Sequence, residues 1–180
     1  LTAEALAYVN GPAAVASVTG ATIDPSALGG ASVHARVTGL ASLVAADRAD
    51  AEAALADLLA YLPQSWDVAL PVSPTADPVD RRCLTAAAAV PADPRASYDV
   101  RDVLTDIADE GSVLEVWADH APNMVTAYAR LGGRAVAVVA NQPRIRAGTL
   151  DIEAGSKAAR HVQAADAAGL PIVTLVDTPG

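Results

Sequence analysis

Residues 132–180 contain the stretch that decides the fold: GGRAVAVVAN at 132–141, QPRIRAGTLD at 142–151 and, after a helical segment, LPIVTLVDTPG at 170–180. The apolar runs at 135–140 and 172–176 have the length of strands, and the segment between them has room for a loop and one crossover helix. Both runs are apolar throughout, which is typical of parallel strands covered on both faces. The stretch therefore predicts a βαβ unit in an α/β protein. A ligand should bind where such strands end and the following loops begin.

The composition predicts a globular protein and excludes several functional classes. Hydrophobic residues make up 52% of the 180 residues and charged residues 18%, a balance typical of a chain that buries a core. The formal net charge of -9 argues against a general nucleic-acid surface. The single cysteine, Cys83, rules out a disulfide framework or a cysteine-rich zinc site within these residues, and it fits a reducing compartment. No apolar run approaches the length of a membrane-spanning helix.

Local signals predict further helices and a hairpin. Asp47 begins a long helix whose leucines, at three- and four-residue steps, predict one packed face. Asp99 begins a second amphipathic helix. Gly132-Gly133 predicts a tight hairpin between two apolar strands, because both glycines can take a positive φ. Asp151 begins the crossover helix. The buried stripe predicted for that helix consists of small and apolar residues: Ala154, Ala158, Val162 and Ala165.

Residues 63–80 divide the chain. The hydrophobic pattern vanishes there, and prolines stand among Ser, Thr and Asp, as expected of a linker between domains. The sequence begins with Leu, and Met124 is its only methionine. The last apolar run is followed directly by residues 178–180, where a doubly wound protein continues into another helix. We therefore expect this sequence to be an excerpt of a longer protein.

The sequence contains no nucleophile or nucleotide-binding motif of the usual kinds. Gly29-Gly30-Ala31 is interpreted as a helix stop, because the backbone freedom of glycine is enough to explain it. Cys83, which lies beside Arg81 and Arg82, is interpreted as an incidental thiol. The histidines lack the spacing of metal ligands and are interpreted as structural or solvated; they are His34, His120 and His161.

One loop, residues 141–151, remains as a candidate site. Asn141, Gln142 and Gly148 lie between a strand end and a helix start, and Arg144 and Arg146 supply local positive charge. Backbone amides at the helix start would face an anion or a developing oxyanion. The alternative is a solvated loop that ends in a helix cap. The residues alone leave both interpretations open.

Short motifs along nearly the whole sequence resemble those of one enzyme family, in the same order. They are YVNGP at 8–12, LGGA at 28–31, YLP at 61–63, YDVR at 98–101, ARLGG at 129–133, NQP at 141–143, AGTLD at 147–151, KAAR at 157–160 and DTPG at 177–180. Together they resemble the carboxyltransferase (beta) subunits of biotin-dependent acyl-CoA carboxylases, in the acetyl-CoA and propionyl-CoA branch. A series of this length is specific, whereas a single motif would not be.

The resemblance implies an α/β, crotonase-like fold of the ClpP/crotonase superfamily, with parts of two tandem domains. Residues 1–66 would be the C-terminal part of the N-terminal carboxyltransferase domain, and residues 67–79 a linker. Residues 80–180 would be the first half of the C-terminal carboxyltransferase domain.

The resemblance also implies a mechanism. The carboxyl group moves from carboxybiotin, carried on a partner, to the α carbon of acetyl-CoA or propionyl-CoA, with no metal and no protein base. Two pairs of backbone amides stabilise the biotin and thioester enolates. By the resemblance these amides lie outside this sequence, so no residue is assigned a catalytic role and the excerpt alone is expected to be inactive. The residues expected to bind cofactor are Asn141, Gln142, Pro143, Gly148, Pro179 and Gly180.

By the same resemblance, the partners are a biotin carboxylase or biotin-carrier subunit and further copies of the protein in a hexamer. The expected location is the cytoplasm, with a role in fatty acid metabolism and no contact with nucleic acid or membrane. Two alternatives stay open. One is the carboxyltransferase subunit of a biotin-dependent acyl-CoA decarboxylase, which runs the reaction in reverse. The other is a non-catalytic α/β module that binds a partner.

Overall fold

The computed structural model describes residues 1–65, 67–78, 80–93 and 95–179. The chain falls into two compact units, Leu1–Leu55 and Ala56–Gly180. This division lies eleven residues before the predicted domain boundary at residue 66, and the assignment to two tandem carboxyltransferase domains stays a prediction. Three positions used in the predictions lie outside the described residues. They are residue 66 at the domain boundary, residue 79 at the end of the linker and residue 180, a candidate cofactor contact.

The first unit is built from short helices: α1 (Pro12–Thr19), α2 (Pro25–Gly29) and α3 (Ala31–Arg36). The carboxylate of Asp24 accepts hydrogen bonds from the first amides of α2. The predicted helix stop is confirmed, because α2 ends at Gly29, where a side chain would overlap the carbonyl oxygen of Ala7. His34 is buried and both ring nitrogens lie 2.9 Å from oxygens, those of Thr38 and Ala7. Its role is therefore structural, as predicted.

Helix α4 (Arg48–Leu59) begins as predicted but does not bury its leucines. Asp47 accepts a hydrogen bond of 3.0 Å from the amide of Asp50, which caps the first turn. Leu55 and Leu59 are 55% and 56% exposed, and no residue of the helix is buried. The predicted packed face is wrong for the described chain. A leucine pattern identifies the apolar side of a helix, but it does not supply a surface for that side to pack on.

The second unit contains a four-stranded sheet in the order β1-β2-β3-β4. Strands β1 to β3 are antiparallel neighbours, and β4 lies parallel to β3. The crossover between β3 and β4 is a helix, so the predicted βαβ unit is confirmed. The elements of this unit are α5 (Leu84–Ala89), α6 (Val100–Ile107), β1 (Leu114–Val116), β2 (Met124–Leu131), β3 (Arg134–Asn141), α7 (Ile152–Ala167) and β4 (Ile172–Leu175).

The hairpin between β2 and β3 is the one predicted from Gly132-Gly133. Their φ angles are 59° and 79°, the left-handed conformation that a two-residue turn of this kind requires. The carboxylate of Asp109 accepts hydrogen bonds from both glycine amides, at 2.8 and 2.6 Å. A side chain on Gly133 would overlap the carbonyl oxygen of Ser73, which belongs to the predicted linker.

Strands β2 and β3 are buried along almost their whole length. One apolar cluster joins α6 to the sheet, through Val100, Leu104 and alternate residues of both strands. A second, smaller cluster includes Val139 of β3 and Ala154 of α7. The continuous apolar run of β3 is therefore explained by cover on both faces. Strand β4 is only partly covered.

Helix α7 begins with the predicted cap and buries a different stripe from the predicted one. The carboxylate of Asp151 accepts a hydrogen bond of 2.9 Å from the amide of Ala154. Ala154 and Ala165 are buried as predicted, but Ala158 and Val162 are only partly buried. The remaining buried positions are Lys157 and His161. The prediction used apolar residues alone, so the predicted stripe is rotated slightly around the helix axis from the stripe that is buried.

Candidate functional site

The loop after β3 and the segment after β4 form two walls of one cavity. It lies at the carboxyl ends of these parallel strands, where ligands bind in open α/β sheets. Its volume is about 280 Å³, just below the range of about 300–1,000 Å³ that is usual for small-molecule sites. The lining residues are Arg95, Ala96, Ser97, Pro143, Ala147, Asp177, Thr178 and Pro179. Of the residues predicted to bind cofactor, Pro143 and Pro179 thus meet at one site.

Asn141 and Gly148 lie behind the cavity and join the loop to the end of β4. Asn141 is buried, and its side-chain amide donates a hydrogen bond of 2.9 Å to the carbonyl of Gly148. Gly148 has a φ of +71°, and a side chain there would begin 2.5 Å from the carbonyl oxygen of Asp177. Only glycine permits this approach of two backbones. These two residues therefore fix the shape of the cavity wall.

Gln142 is fully buried and connects the loop to α6. Its side-chain amide donates to Asp99 at 2.6 Å, and its side-chain oxygen accepts from the amide of Val100 at 3.3 Å. Burial acts to raise the pKa of Asp99, but the hydrogen bonds from Gln142 and the Arg101 amide, with the charge of Arg101, outweigh it and lower the pKa. Asp99 therefore stays ionised as the acceptor. Gln142 is used for holding the loop in place.

The positive charge predicted for the loop is largely neutralised within the chain. Arg144 pairs with Asp99 at 3.5 Å, and Arg146 pairs with Asp151 at 2.7 Å. Both arginine side chains are about two-thirds exposed, so these pairs add little stability. Arg95 lines the cavity, and no ion pair joins it to the part of the chain that the structure describes. The cation at the cavity is therefore Arg95, which the sequence did not single out.

The start of α7 is capped by an aspartate of its own chain. Asp151 accepts from the amide of Ala154 through its carboxylate, and its own carbonyl accepts from the amide of Gly155 at 2.9 Å. The hydrogen bond from Ala154 lowers the pKa of Asp151, with Arg146 and Asn123 adding to the effect against a small opposing effect of burial. The helix start is thus occupied by its own cap, which favours the structural interpretation of that residue.

Asp177 also borders a second cavity of about 260 Å³ on the α6 side of β4. The lining is mostly apolar: Tyr98, Val100, Val103, Thr174, Leu175 and Val176 join Asp177. Burial raises the pKa of the Tyr98 hydroxyl, and a hydrogen bond with Asp177 raises it further. The carboxyl end of β4 therefore lies between two cavities, and Asp177 lines both.

Two buried polar side chains of α7 were left out of the buried stripe predicted for that helix, although His161 was interpreted as structural or solvated and its burial agrees with a structural role. Lys157 is 2% exposed, and its ammonium group donates to the carbonyls of Trp117, His120 and Met124. His161 is fully buried and lies 3.0 Å from the carbonyl of Ala127. The positions 154, 157, 161 and 165 follow helical spacing, so the stripe could have been found by spacing without regard to polarity.

The described residues contain neither a cluster of candidate metal ligands nor a candidate membrane-spanning helix. Within residues 1–65, 67–78, 80–93 and 95–179, no three His, Cys, Asp or Glu side chains are grouped as metal ligands. No helix in the same ranges has the length and apolar character needed to cross a membrane.

Comparison with known proteins gives the relatives of this chain. The beta chain of propionyl-CoA carboxylase from Saccharopolyspora erythraea is 42% identical over 181 residues, which cover 96% of this chain and 33% of the relative. The methylmalonyl-CoA carboxyltransferase 12S subunit from Propionibacterium freudenreichii subsp. shermanii is also 42% identical, over 100% of this chain and 34% of the relative. The chain thus spans about a third of the length of these curated relatives.

A solved structure of a carboxyltransferase resembles this chain as well. The crystal structure of transcarboxylase 12S with hydrolysed methylmalonyl-coenzyme A bound superposes with a TM-score of 0.94 at 41% identity, covering 99% of this chain and 35% of that chain. This similarity confirms the expected α/β, crotonase-like fold. Residues 2–180 match the family described as carboxyl transferase domain. The predicted resemblance to carboxyltransferase subunits is confirmed, and this chain belongs to the carboxyl transferase domain family.

Proposed function

We propose that the protein containing this chain transfers a carboxyl group from carboxybiotin to the α carbon of a short acyl-CoA, acetyl-CoA or propionyl-CoA. The observation that carries the proposal is the superposition on transcarboxylase 12S, whose crystal contained hydrolysed methylmalonyl-coenzyme A, with a TM-score of 0.94 at 41% identity. Methylmalonyl-CoA is the product that carboxylation of propionyl-CoA at its α carbon would give. The 42% identity to a propionyl-CoA carboxylase beta chain supports the same substrate class.

Within this function, we assign loop 141–151 and the segment 177–180 to the biotin side of the active site. Pro143 and Pro179 would contact the cofactor as walls of the cavity, with Gly180 as their expected neighbour. Asn141, Gln142 and Gly148 would act indirectly, because their hydrogen bonds and backbone contacts hold the loop. The described cavity lining contains no histidine or cysteine, and its one carboxylate is that of Asp177.

The partners and the location are part of the same proposal. The biotin would be carried by a biotin carboxylase or biotin-carrier subunit, and the protein would assemble as a hexamer in the cytoplasm. The 12S relative is described as a hexamer that binds substrate in a multienzyme core, which supports the assembly. Residues 1–66 and 80–180 would belong to two tandem carboxyltransferase domains joined by residues 67–79.

The experiment is a transfer assay with the full-length protein as encoded. A biotin carrier loaded with ¹⁴C-carboxybiotin is mixed with acetyl-CoA or propionyl-CoA, and label is measured in malonyl-CoA or methylmalonyl-CoA. Transfer to either acyl-CoA is the expected result. No transfer in either direction would overturn the proposal and favour a non-catalytic module.

A decarboxylase subunit is the second candidate, because a methylmalonyl-CoA decarboxylase alpha subunit from Veillonella parvula is 36% identical over 173 residues. The same assay is run in reverse, with labelled methylmalonyl-CoA and unloaded carrier. Faster transfer onto the carrier than from it, at matched concentrations, would support the decarboxylase direction.

The 180-residue chain by itself is expected to transfer no carboxyl group. By the family resemblance, both amide pairs that stabilise the enolates lie outside it, and losing even one such donor typically costs about 10²–10³ in rate. Purified chain and full-length protein are compared at equal concentration. Turnover of the chain near that of the full-length protein would mean that the amide pairs were assigned wrongly.

A further inference from the structure

Lys157 is a buried cation whose hydrogen bonds all go to one turn. Its three shortest hydrogen bonds go to the carbonyls of Trp117 at 2.7 Å, His120 at 2.8 Å and Met124 at 2.6 Å, and a longer contact of 3.5 Å goes to the carbonyl of Ala121. An ammonium group has three N–H donors, so three carbonyls use all of them. These acceptors belong to residues 117–124, the connection between β1 and β2 together with the first residue of β2, which we call the 117–124 turn.

The 117–124 turn has a backbone that needs support from outside. Trp117 and Ala121 have φ angles of 56° and 41°, a left-handed conformation that is uncommon for residues other than glycine. Such residues persist where their surroundings impose the conformation. The surroundings here include Lys157, whose charge-assisted hydrogen bonds are stronger than those between neutral groups.

The 117–124 turn contacts the candidate site through Asn123. The carbonyl of Asn123 accepts a hydrogen bond of 2.9 Å from the amide of Gln142. Its side-chain amide donates to the carbonyl of Thr149 at 2.7 Å and to Asp151 at 3.2 Å. Asn123 is fully buried and thus bridges both ends of loop 141–151. A displacement of the 117–124 turn would therefore also displace loop 141–151, through the hydrogen bonds of Asn123.

We propose that Lys157 is a positioning residue for carboxyl transfer, holding loop 141–151 in place through the 117–124 turn and Asn123. This inference rests on the proposed function of the loop. Lys157 does not line the cavity, and its ammonium group is fully occupied, so it acts on the reaction through other residues.

The cost of burying this charge supports a role other than stability. Burial lowers the pKa of Lys157 to about 8, partly opposed by the negative charge of Glu115 and reinforced by the positive charge of Arg101. The folded protein therefore disfavours the protonated form relative to water. An apolar side chain at this position would avoid the cost of burying a charge, but it would leave the carbonyls of the turn without their donor. The buried charge therefore serves to hold this turn.

The first test is Lys157→Met in the full-length protein, read by hydrogen–deuterium exchange and by kinetics. Amides of residues 141–151 should exchange faster than in the wild type. The rate constant kcat should fall about 10- to 100-fold, because a displacement of about 1 Å at a site is enough for such a loss. The KM for acyl-CoA should stay unchanged, since the loop is assigned to the biotin side.

The second test is the pH profile. A neutral amine has two N–H donors and cannot serve three carbonyls. Wild-type activity should therefore fall above pH 8 as Lys157 loses its proton, and this fall should be absent in Lys157→Met. The other charged or titratable groups facing Lys157 are Glu115 on β1, Arg101 on α6, His161 on α7 and His120 in the turn. Glu115→Gln should leave the alkaline fall in place, shifted towards lower pH, since Glu115 raises the pKa of Lys157.

The route through Asn123 is tested by Asn123→Ala and by the double variant. Residues that act in series give non-additive effects, so Lys157→Met should cost little more once Asn123 is removed. Asn123→Ala alone should also speed exchange in residues 141–151, which keeps the proposal testable if Lys157→Met fails to fold. Leu170→Ala is the control: Leu170 is 4% exposed and lies between the C-terminal end of α7 and the start of β4. It should lower the melting temperature without changing the pH profile or the loop exchange.

The outcomes separate the two proposals. Unchanged exchange in residues 141–151 of Lys157→Met overturns the positioning role, whatever the activity. Additive losses in the double variant overturn the route through Asn123. A wild-type protein that transfers no carboxyl group, with faster loop exchange in Lys157→Met, overturns the proposed function and leaves the mechanical link standing.

Discussion

Gly148→Ala tests the backbone contact that shapes the candidate site. The change adds a side chain where φ is +71°, and a non-glycine residue in the left-handed region costs about 1–3 kcal/mol. The new Cβ would also lie 2.5 Å from the carbonyl oxygen of Asp177 and 3.2 Å from the Cβ of Asn141. Overlap of this kind in a packed region costs typically about 1–3 kcal/mol more. The expected loss of stability is therefore about 2–6 kcal/mol in total.

Two other glycines of the chain provide matched controls. Gly169 has a φ of +70°, and a Cβ there meets no heavy atom of the described chain within 4 Å, so Gly169→Ala should show the conformational cost without the overlap. Gly155 lies inside α7, and a Cβ there likewise meets no described heavy atom. Gly155→Ala should stabilise the helix by roughly 0.5–1 kcal/mol. The difference between Gly148→Ala and Gly169→Ala then isolates the contact with Asp177.

The assay is thermal melting of the full-length variants together with carboxyl transfer. Melting temperatures should rank Gly155→Ala highest, then Gly169→Ala, then Gly148→Ala. Transfer should fall most in Gly148→Ala, because the loop must move away from the end of β4 to accommodate the methyl group. If Gly148→Ala and Gly169→Ala melted at the same temperature and transferred equally, the close approach of Gly148 to Asp177 would be refuted.

Two further predictions concern polar contacts around the site. Asp151→Ala removes the cap of α7 and should cost about 0.5–2 kcal/mol in melts at pH 7. The folded protein lowers the pKa of Asp151, so the stability that this carboxylate contributes is complete above the unfolded pKa of about 3.9. That stability is lost as the pH falls through the folded pKa. A difference in stability between Asp151→Ala and wild type that persists in strong acid would contradict this. Glu115→Gln removes the negative charge and one of the two acceptor oxygens to which Arg101 donates at 2.6 Å. The loss should cost about 1–3 kcal/mol, while equal melting of Glu115→Gln and wild type would show that the charged pair adds nothing.

The parts of the fold that local residues determine could be predicted from the sequence. Gly132-Gly133 specifies its hairpin because both residues need a positive φ. Asp99 and Asp151 specify helix starts because a carboxylate two or three residues before an amide can cap it. The parallel pairing of β3 and β4 follows from two apolar runs joined by one helix. Each of these features depends on residues close together in the sequence.

The site depends on contacts that sequence spacing does not reveal. Arg144 was expected to supply positive charge, but it pairs with Asp99, a residue 45 positions away. Gln142 was expected to contact cofactor, yet it is buried against the same aspartate. Pairing across such separations is set by the packing of α6 on the sheet, and a sequence pattern does not contain it. Arg95 at the cavity was missed for the same reason.

Lys157 was missed for a different reason, which is the low frequency of buried lysines. Its position three residues after Ala154 and eight before Ala165 places it within the buried stripe of α7. Helical spacing alone predicts that Lys157 and His161 lie in the core. Buried N–H groups need acceptors, so it also predicts that both side chains donate hydrogen bonds inside the protein. Because both side chains are polar, the predicted stripe left out Lys157 and His161, although their helical spacing places them on the buried face.

His161 allows the burial of this stripe to be tested by pH alone. Its Nε2 donates to the carbonyl of Ala127 at 3.0 Å, and its Nδ1 makes no hydrogen bond within the described residues. Burial lowers the pKa of His161, and the charge of Lys157 lowers it further against the opposing effect of the hydrogen bond to Ala127. The unfolded chain therefore binds more protons than the folded protein below about pH 6.5, the ordinary value for histidine. The free energy of unfolding should then fall as the pH drops from 7 towards 5.

His161→Phe removes the titrating group and keeps an aromatic ring packed edge-on to Tyr128, where the centroids are 4.9 Å apart. At pH 7 the variant should lose about 1 kcal/mol with the hydrogen bond to Ala127. As the pH falls to 5, the wild type should lose stability faster than the variant, so the gap between their melting temperatures should narrow or reverse. A gap that stayed constant from pH 7 to pH 5 would mean that His161 takes up its proton without difficulty, and the buried stripe of α7 would then be wrongly placed.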